Sequence, residues 1–191
     1  MSVDQVTTLA AVLALGAGLL AIVIVILAIL AARSSEWSER LSAFRAHYGT
    51  TVLLGAAIMG ILTMLGSLYM SEVAHFEPCR LCWYQRIAAY PLGLLLLMAF
   101  LRRDHGIRPY IWLLTGIGIS ISTYHVLIER FPSLETGACE VSNPCSIKWV
   151  EKFGFVTLPV MAWLAFASIA AVTWLAGPAT TGASVGTREA S

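Results

Sequence analysis

The stretch Glu77-Pro78-Cys79-Arg80-Leu81-Cys82-Trp83-Tyr84-Gln85-Arg86 stands where a short polar segment gives way to an uncharged apolar run. Two cysteines with two residues between them can close a small disulfide ring. If the apolar run is a helix, its free N-terminal N–H groups stabilise a thiolate, and we expect that thiolate on Cys82. Arg86 then lies one turn further along the same helix face, where its charge favours the same thiolate. The stretch therefore predicts a redox-active thiol pair at the start of a membrane helix.

The composition indicates an integral membrane protein. The chain has 191 residues, of which 58% are hydrophobic and only 12% are charged, and its mean hydropathy is +0.79. A soluble domain carries about 25% charged residues. The net charge is +1 and the sequence contains no basic tract, so we expect membrane lipid and no nucleic acid among the partners.

Five apolar runs each have the length of a membrane helix. They lie at 9–32, 50–71, 81–101, 109–128 and 153–176. A helix rises about 1.5 Å per residue, so about 20 residues cross a hydrocarbon core of about 30 Å. A cleaved signal peptide is the alternative for the first run, but the run is too long for one, and no lysine or arginine precedes it. The sequence therefore predicts an all-α integral membrane protein with five spans.

The distribution of lysine and arginine predicts the topology. Seven of these residues fall in the segments 33–49, 102–108 and 177–191, against five on the other side of the predicted spans. Positively charged residues favour the cytoplasmic side of a membrane. We therefore expect the N-terminus outside the cell, the C-terminus inside, and both cysteine pairs on the extracytoplasmic side, where disulfides persist.

A second cysteine pair, Cys139 and Cys145, lies in the longest predicted loop, 129–152. Five intervening residues can close a disulfide, which would be either redox-active or a static staple of the loop. The two cysteine pairs together could also bind zinc through four thiolates, although structural zinc is usually set in a compact soluble fold.

The segment after Cys145 has the pattern of a short amphipathic helix. Ile147, Val150 and Phe153 recur on one helix face, and Asn143 can cap the start of the helix. Such a helix would lie on the membrane surface and hold the loop close to the first cysteine pair.

The pattern Pro-Cys-x-Leu-Cys-Trp-Tyr-Gln-Arg at 78–86, followed two spans later by a loop cysteine pair, resembles the bacterial disulfide bond formation protein B (DsbB) family. The segment 145–159 begins with Cys-Ser-Ile-Lys-Trp and ends with Phe-Gly-Phe-Val-Thr-Leu-Pro. That segment is more similar to the BdbC-type branch of the family. The resemblance covers roughly residues 48–176.

The resemblance implies a division of the chain. The expected parts are an extra N-terminal transmembrane helix with its cytoplasmic connector (1–49), a four-helix transmembrane bundle (50–176) with redox loops at 72–82 and 129–152, and a disordered C-terminal tail (177–191). The extra helix departs from the four-helix core of the family. The loop cysteines are also closer together than in the enterobacterial form, so we do not expect the large loop rearrangement proposed for that form.

The resemblance also implies a function for each cysteine. Cys79 and Cys82 would form the quinone-proximal pair, with Cys82 in contact with ubiquinone or menaquinone and Arg86 supporting its reduction. Cys139 and Cys145 would exchange disulfides with an extracytoplasmic, DsbA-like thioredoxin-fold protein, with Cys139 forming the mixed disulfide. The expected protein is a quinone-dependent, disulfide-generating oxidoreductase of the bacterial inner membrane, with no metal site.

Two other functions are compatible with paired cysteines in a membrane bundle. An enzyme similar to vitamin K epoxide reductase also couples thiols to a quinone, but there the loop pair precedes the quinone-proximal pair in the chain. A non-catalytic scaffold would hold two structural disulfides with reduction potentials below about −300 mV, whereas relay disulfides equilibrate with a thioredoxin-like partner. His125, near the outer end of the fourth span, is expected either to pack through hydrogen bonds or to line a quinone niche.

Overall fold

The computed structural model describes residues 2–140 and 142–177. Within them the chain forms five long helices and one short β-hairpin. The helices are α1 (Val3–Arg33), α2 (Ser35–Leu68), α3 (Arg80–Arg102), α4 (Arg108–Arg130) and α5 (Leu158–Leu175), and the paired strands are β1 (Glu151–Lys152) and β2 (Val156–Thr157). All five helices are long and apolar enough to cross a membrane. The protein is therefore an all-α multi-pass membrane protein, as its hydropathy predicts. The predicted disordered tail lies, apart from Gly177, outside the described residues.

The polar connector predicted at 33–49 is largely helical. The backbone is extended only at Ser34, where α1 ends and α2 begins. An ion pair between Glu36 and Arg40, 2.6 Å long and one turn apart, supports the first turns of α2. The second membrane helix therefore continues well beyond its apolar part.

Close helix approaches occur at some of the small residues of the apolar runs. A Cβ atom added to Gly60 of α2 would lie 2.9 Å from Gly93 Cα of α3, and one added to Gly118 of α4 would lie 2.5 Å from the Phe166 ring of α5. Gly66, by contrast, has no neighbour within 4 Å of such an atom. Glycine thus permits backbone contact at the α2–α3 interface, as small residues do in membrane bundles.

The amphipathic helix predicted after Cys145 is wrong. In its place the chain makes turns and then the β1–β2 hairpin, in which Glu151 pairs with Thr157. The hairpin turn contains Phe153 and Gly154 with positive φ angles of 54° and 74°, which a right-handed helix cannot include. As a result, α5 begins at Leu158 rather than at residue 153.

The helices pack around a shared apolar core. α2 packs mainly against α3, α4 packs against α5 and α3, and α1 packs against α5 and α2. A second, smaller apolar cluster lies at the end of the bundle where α3 begins and α4 ends. This cluster contains Cys79, Cys139 and Cys145, so the fold brings the two predicted redox loops together.

Candidate active site

The first cysteine pair lies at the N-terminus of α3, as the sequence predicts. Cys79 is the N-cap residue, and its sulfur accepts a hydrogen bond from the Cys82 N–H at 3.4 Å. The two sulfur atoms are 3.0 Å apart and both cysteines are free thiols. Cys79 is buried, whereas Cys82 is partly exposed on the first turn of the helix.

The surroundings of Cys79 favour its thiolate. A hydrogen bond from the Cys82 thiol, with a further contribution from His125, holds the pKa of Cys79 well below that of a free thiol, even though burial acts in the opposite direction. The helix N-terminus adds to this effect because the N-cap sulfur faces unpaired N–H groups. Sequence reasoning placed the thiolate on Cys82. In the reduced pair, the geometry assigns the better stabilised anion to Cys79, because the cap position belongs to the first cysteine.

The second cysteine pair forms a disulfide between Cys139 and Cys145, with Cα atoms 5.8 Å apart. Both residues are buried, but Cys139 is 8% exposed and Cys145 only 1%. The loop is fixed to the start of α3 by an ion pair of 3.0 Å between Arg80 and Glu140. Because two of the four cysteines are joined in this disulfide, the four-thiolate zinc site considered from the sequence does not form in this structure.

His125 of α4 lies between the two pairs, a position that the sequence did not predict. Its Nε2 atom is 3.1 Å from the Cys145 carbonyl oxygen and 3.7 Å from Cys79 Sγ. On the other side of the ring, Nδ1 is 3.4 Å from Nε2 of Gln85, which in turn donates to the Ser122 hydroxyl at 3.2 Å. The histidine is therefore held by a hydrogen-bond network and contacts both redox loops.

Two further polar residues near this site were missed. Glu129, one turn after His125, is buried and accepts a 2.6 Å hydrogen bond from the Thr157 hydroxyl of β2. Ser67 of α2 binds Arg86, as described below. In the sequence, each of these two residues is only a polar residue near the end of an apolar run. That pattern does not reveal which residue elsewhere in the chain is its hydrogen-bond partner.

Arg86 lies inside the bundle and not at the lipid headgroups. It is only 9% exposed. Its Nε donates to the Ser67 hydroxyl and its Nη2 to the Ser67 carbonyl oxygen, both at 3.1 Å. The guanidinium carbon also lies 5.0 Å from the centre of the Trp83 ring. Within the described residues, Nη1 has no hydrogen-bond partner, so the N–H groups of Nη1 can still donate to a ligand.

The residues around Cys82 fit a quinone on the lipid side of α3. Cys82 is partly exposed, the rings of Trp83 and Tyr84 are exposed beside it, and Arg86 offers a donor one turn deeper. An inner cleft between the thiols and the hairpin is narrow, and Cys79, His125, Glu129 and Trp149 are among the residues that line it. We therefore expect a flat ring to approach Cys82 from the membrane and not through this cleft.

Comparisons with known proteins show the family of the chain. The sequence profile of the family "Disulfide bond formation protein DsbB" matches residues 49–176. The chain is 42% identical over 119 residues to "Probable disulfide formation protein C" of Halalkalibacterium halodurans, which covers 62% of this chain and 87% of that protein. It is 40% identical over 115 residues to "Disulfide bond formation protein C" of Bacillus subtilis, which covers 60% of this chain and 83% of that protein. No solved structure matches the chain significantly.

The profile match includes both cysteine pairs, Arg86 and His125. It covers α3, α4, α5 and most of α2, and it leaves α1 outside. A membrane protein of this family is a disulfide-generating oxidoreductase. The chain thus belongs to the DsbB family of membrane disulfide bond formation proteins, in its BdbC-type branch.

Proposed function

We propose that this protein re-oxidises an extracytoplasmic, DsbA-like thioredoxin-fold protein and passes the electrons through its two cysteine pairs to ubiquinone or menaquinone. The observation that supports this most directly is the shared buried cluster of Cys79, Cys139 and Cys145 at one end of the bundle. One pair in that cluster is a disulfide and the other is a dithiol. Two pairs in different redox states and in contact are what a relay requires.

The relay begins at the loop disulfide. A thiolate of the reduced partner attacks Cys139, the more exposed of the loop cysteines, and Cys145 leaves as a thiolate. Cys145 then attacks Cys79 of the Cys79–Cys82 disulfide, and Cys82 leaves. This choice of sulfur atoms follows the contacts of His125, which touches Cys79 and the Cys145 carbonyl group.

Two further exchanges complete the transfer. The second thiolate of the partner attacks the partner's own sulfur in the mixed disulfide, which forms the partner's disulfide and releases Cys139 as a thiolate. The Cys139 thiolate then attacks Cys145 in the Cys145–Cys79 bond and restores the loop disulfide. Two electrons and two protons have then moved from the partner dithiol to Cys79 and Cys82. The redox states after these steps are those of the structure.

The electron acceptor would lie beside Cys82 and Arg86. A quinone bound there would accept two electrons and two protons and leave as the quinol. Arg86, fixed by Ser67, would donate a hydrogen bond to a carbonyl oxygen through its remaining nitrogen. A low-dielectric environment strengthens such a charge-assisted bond.

Anaerobic quinol formation by the purified protein with a reduced thioredoxin-fold partner tests the proposal. Cys82→Ser should remain folded and form no quinol. Arg86→Gln should raise the KM for quinone about 10-fold, as the loss of a hydrogen bond from a charged group implies. Arg102→Gln, at the opposite end of α3, is the matched control and should behave as the wild type. Quinol formation by Cys82→Ser at the wild-type rate would exclude the proposed path.

The free thiols also bear on the scaffold alternative. A scaffold with two structural disulfides would keep both pairs oxidised, whereas Cys79 and Cys82 are thiols with a favoured thiolate. A buried thiol pair next to a disulfide is a poor static staple, because thiol–disulfide exchange between the pairs would be possible. The arrangement therefore favours the relay.

A further inference from the structure

The additional helix α1 lies outside the family match at residues 49–176, yet it contacts the redox end of the bundle. We propose that α1 supports the β1–β2 hairpin and, through it, sets the position of the Cys139–Cys145 loop relative to Cys79. This inference rests on the proposed relay. It assigns a positioning role to Asp4, at the start of α1, and to the face of α1 that packs on α5.

An ion pair joins the two parts at the membrane surface. The Asp4 carboxylate, in the first turn of α1, accepts a hydrogen bond from the Lys152 ammonium of β1. Asp4 is 80% exposed, so the pair is screened by water and contributes little free energy. It is one point of contact between α1 and the hairpin, since Asp4 lies in the first turn of α1 and Lys152 in β1.

Apolar contacts continue this interface into the membrane. Ala11 of α1 is fully buried in a cluster with Val150, Val156 and Met161. Val150 directly precedes β1, Val156 belongs to β2, and Met161 is in α5. Ala11 thus shares a buried apolar cluster with two residues of the hairpin region. The hairpin thus has one apolar face on α1 and does not lie free on the membrane surface.

Deeper in the membrane, Gly18 keeps α1 close to α5. A Cβ atom at Gly18 would lie 2.7 Å from Leu164 Cδ2, whereas a Cβ atom at Gly16 would meet no atom within 4 Å. The two glycines are therefore on different faces, one against α5 and one towards lipid. A large side chain at Gly18 would push α1 away from α5 and from the hairpin above it.

The hairpin in turn contacts the thiol site. Thr157 of β2 donates to Glu129, one turn after His125 on α4. Trp149, just before β1, lines the cleft that contains Cys79 and Cys82, and its ring stacks on Phe76 with centroids 5.4 Å apart. Movement of the hairpin would therefore change the approach of the preceding Cys145 to Cys79. The cluster of α1 with the hairpin and α5 contains no cysteine, so α1 acts through the hairpin.

A single-turnover experiment separates this role from general stability. Oxidised protein, without quinone, is mixed with the reduced thioredoxin-fold partner, quenched with acid and alkylated, so that the two cysteine pairs are followed separately. Gly18→Leu should slow electron transfer from Cys139–Cys145 to Cys79–Cys82 by about 10-fold or more, because overpacking moves α1. Reduction of Cys139–Cys145 by the partner should be unchanged. Gly16→Leu, the matched control, should transfer electrons at the wild-type rate.

A charge exchange tests the same inference in variants that keep the helix packing. Asp4→Lys should slow the transfer between pairs by about 3-fold, in keeping with a surface ion pair, and Asp4→Lys combined with Lys152→Asp should restore it. If folded Gly18→Leu and Asp4→Lys proteins both transfer at the wild-type rate, α1 has no positioning role. If the wild-type pairs never exchange electrons, the proposed relay itself is excluded, which is a different result.

Discussion

The Cys79 sulfur combines three features that stabilise a negative charge: a helix cap position, a hydrogen bond from Cys82 and the nearby ring of His125. Its pKa is therefore lowered, and at neutral pH the reduced pair holds one thiolate and one thiol. A stabilised thiolate is a good leaving group in disulfide exchange. This property suits the final step of the relay, in which Cys145 recovers its bond to Cys139 and releases Cys79.

Substitution of His125 should raise the pKa of Cys79. In the wild type, the thiolate is present above the lowered pKa, so the alkylation rate of the reduced pair should stay nearly constant through neutral pH and fall only in acid. In His125→Ala the fall of the rate should begin at a higher pH, because the contribution of His125 is lost while the larger one, the hydrogen bond with Cys82, remains. The measurement is the pH profile of iodoacetamide alkylation under anaerobic conditions. Tyr124→Phe, which loses only contacts with Leu134 and Thr136, is the control. An unchanged profile in His125→Ala would contradict the assigned cause.

The sequence predicts local relations between residues well and distant ones poorly. Cys79, Cys82 and Arg86 lie within two turns of one helix, so their spacing places them together. Ser67, by contrast, is 19 residues before Arg86 and on another helix. Its hydrogen bonds to Arg86 depend on how α2 packs against α3. A serine in an apolar run gives no sign of such a partner.

The helices could be predicted because a long apolar run in a membrane satisfies its backbone hydrogen bonds by forming an α-helix. The short segment after Cys145 could not be predicted in this way, because its apolar residues have different environments: Val150 is buried, whereas Ile147 and Phe153 are exposed. Val150 packs against α1, whereas Phe153 takes a left-handed backbone conformation in the hairpin turn. A spacing of three residues suggests one helix face, but it cannot show that one of these residues is buried and another lies in a hairpin turn.

The contact between α2 and α3 gives a prediction at the level of elements. A Cβ atom at Gly93 would lie 3.0 Å from the Gly60 carbonyl oxygen, and backbone atoms cannot move aside as a side chain can. Gly93→Ala should therefore reduce the free energy of unfolding by about 1–3 kcal/mol. Gly66→Ala, where space is open, should be neutral or stabilise by up to about 1 kcal/mol. Thermal unfolding in detergent measures both. Equal stability of the two variants would show that the α2–α3 backbones do not touch.

Across the whole molecule, the two arginine-rich turns and the two cysteine pairs lie at opposite ends. The ion pair between Asp4 and Lys152 puts the N-terminus at the same end as both cysteine pairs. The turn between α1 and α2 and the turn between α3 and α4 lie at the other end, and both are rich in arginine. Because arginine favours the cytoplasmic side, the cysteine end should face outwards. Helix α1 is part of this argument, since its N-terminal turn contacts the hairpin at the redox end.

Site-directed labelling in intact cells tests this orientation. In a background with all four native cysteines changed to serine, single cysteines are introduced by Val3→Cys, Glu77→Cys and Ser38→Cys, all at exposed positions. A membrane-impermeant maleimide should label the first two in intact cells, because they lie at the end that carries the redox loops. It should label the third only after lysis, because Ser38 follows the α1–α2 turn. Labelling of Ser38→Cys alone in intact cells would place both cysteine pairs in the cytoplasm. In that compartment the thiol pool would keep Cys139 and Cys145 reduced. The proposed oxidation of an extracytoplasmic partner would then be impossible.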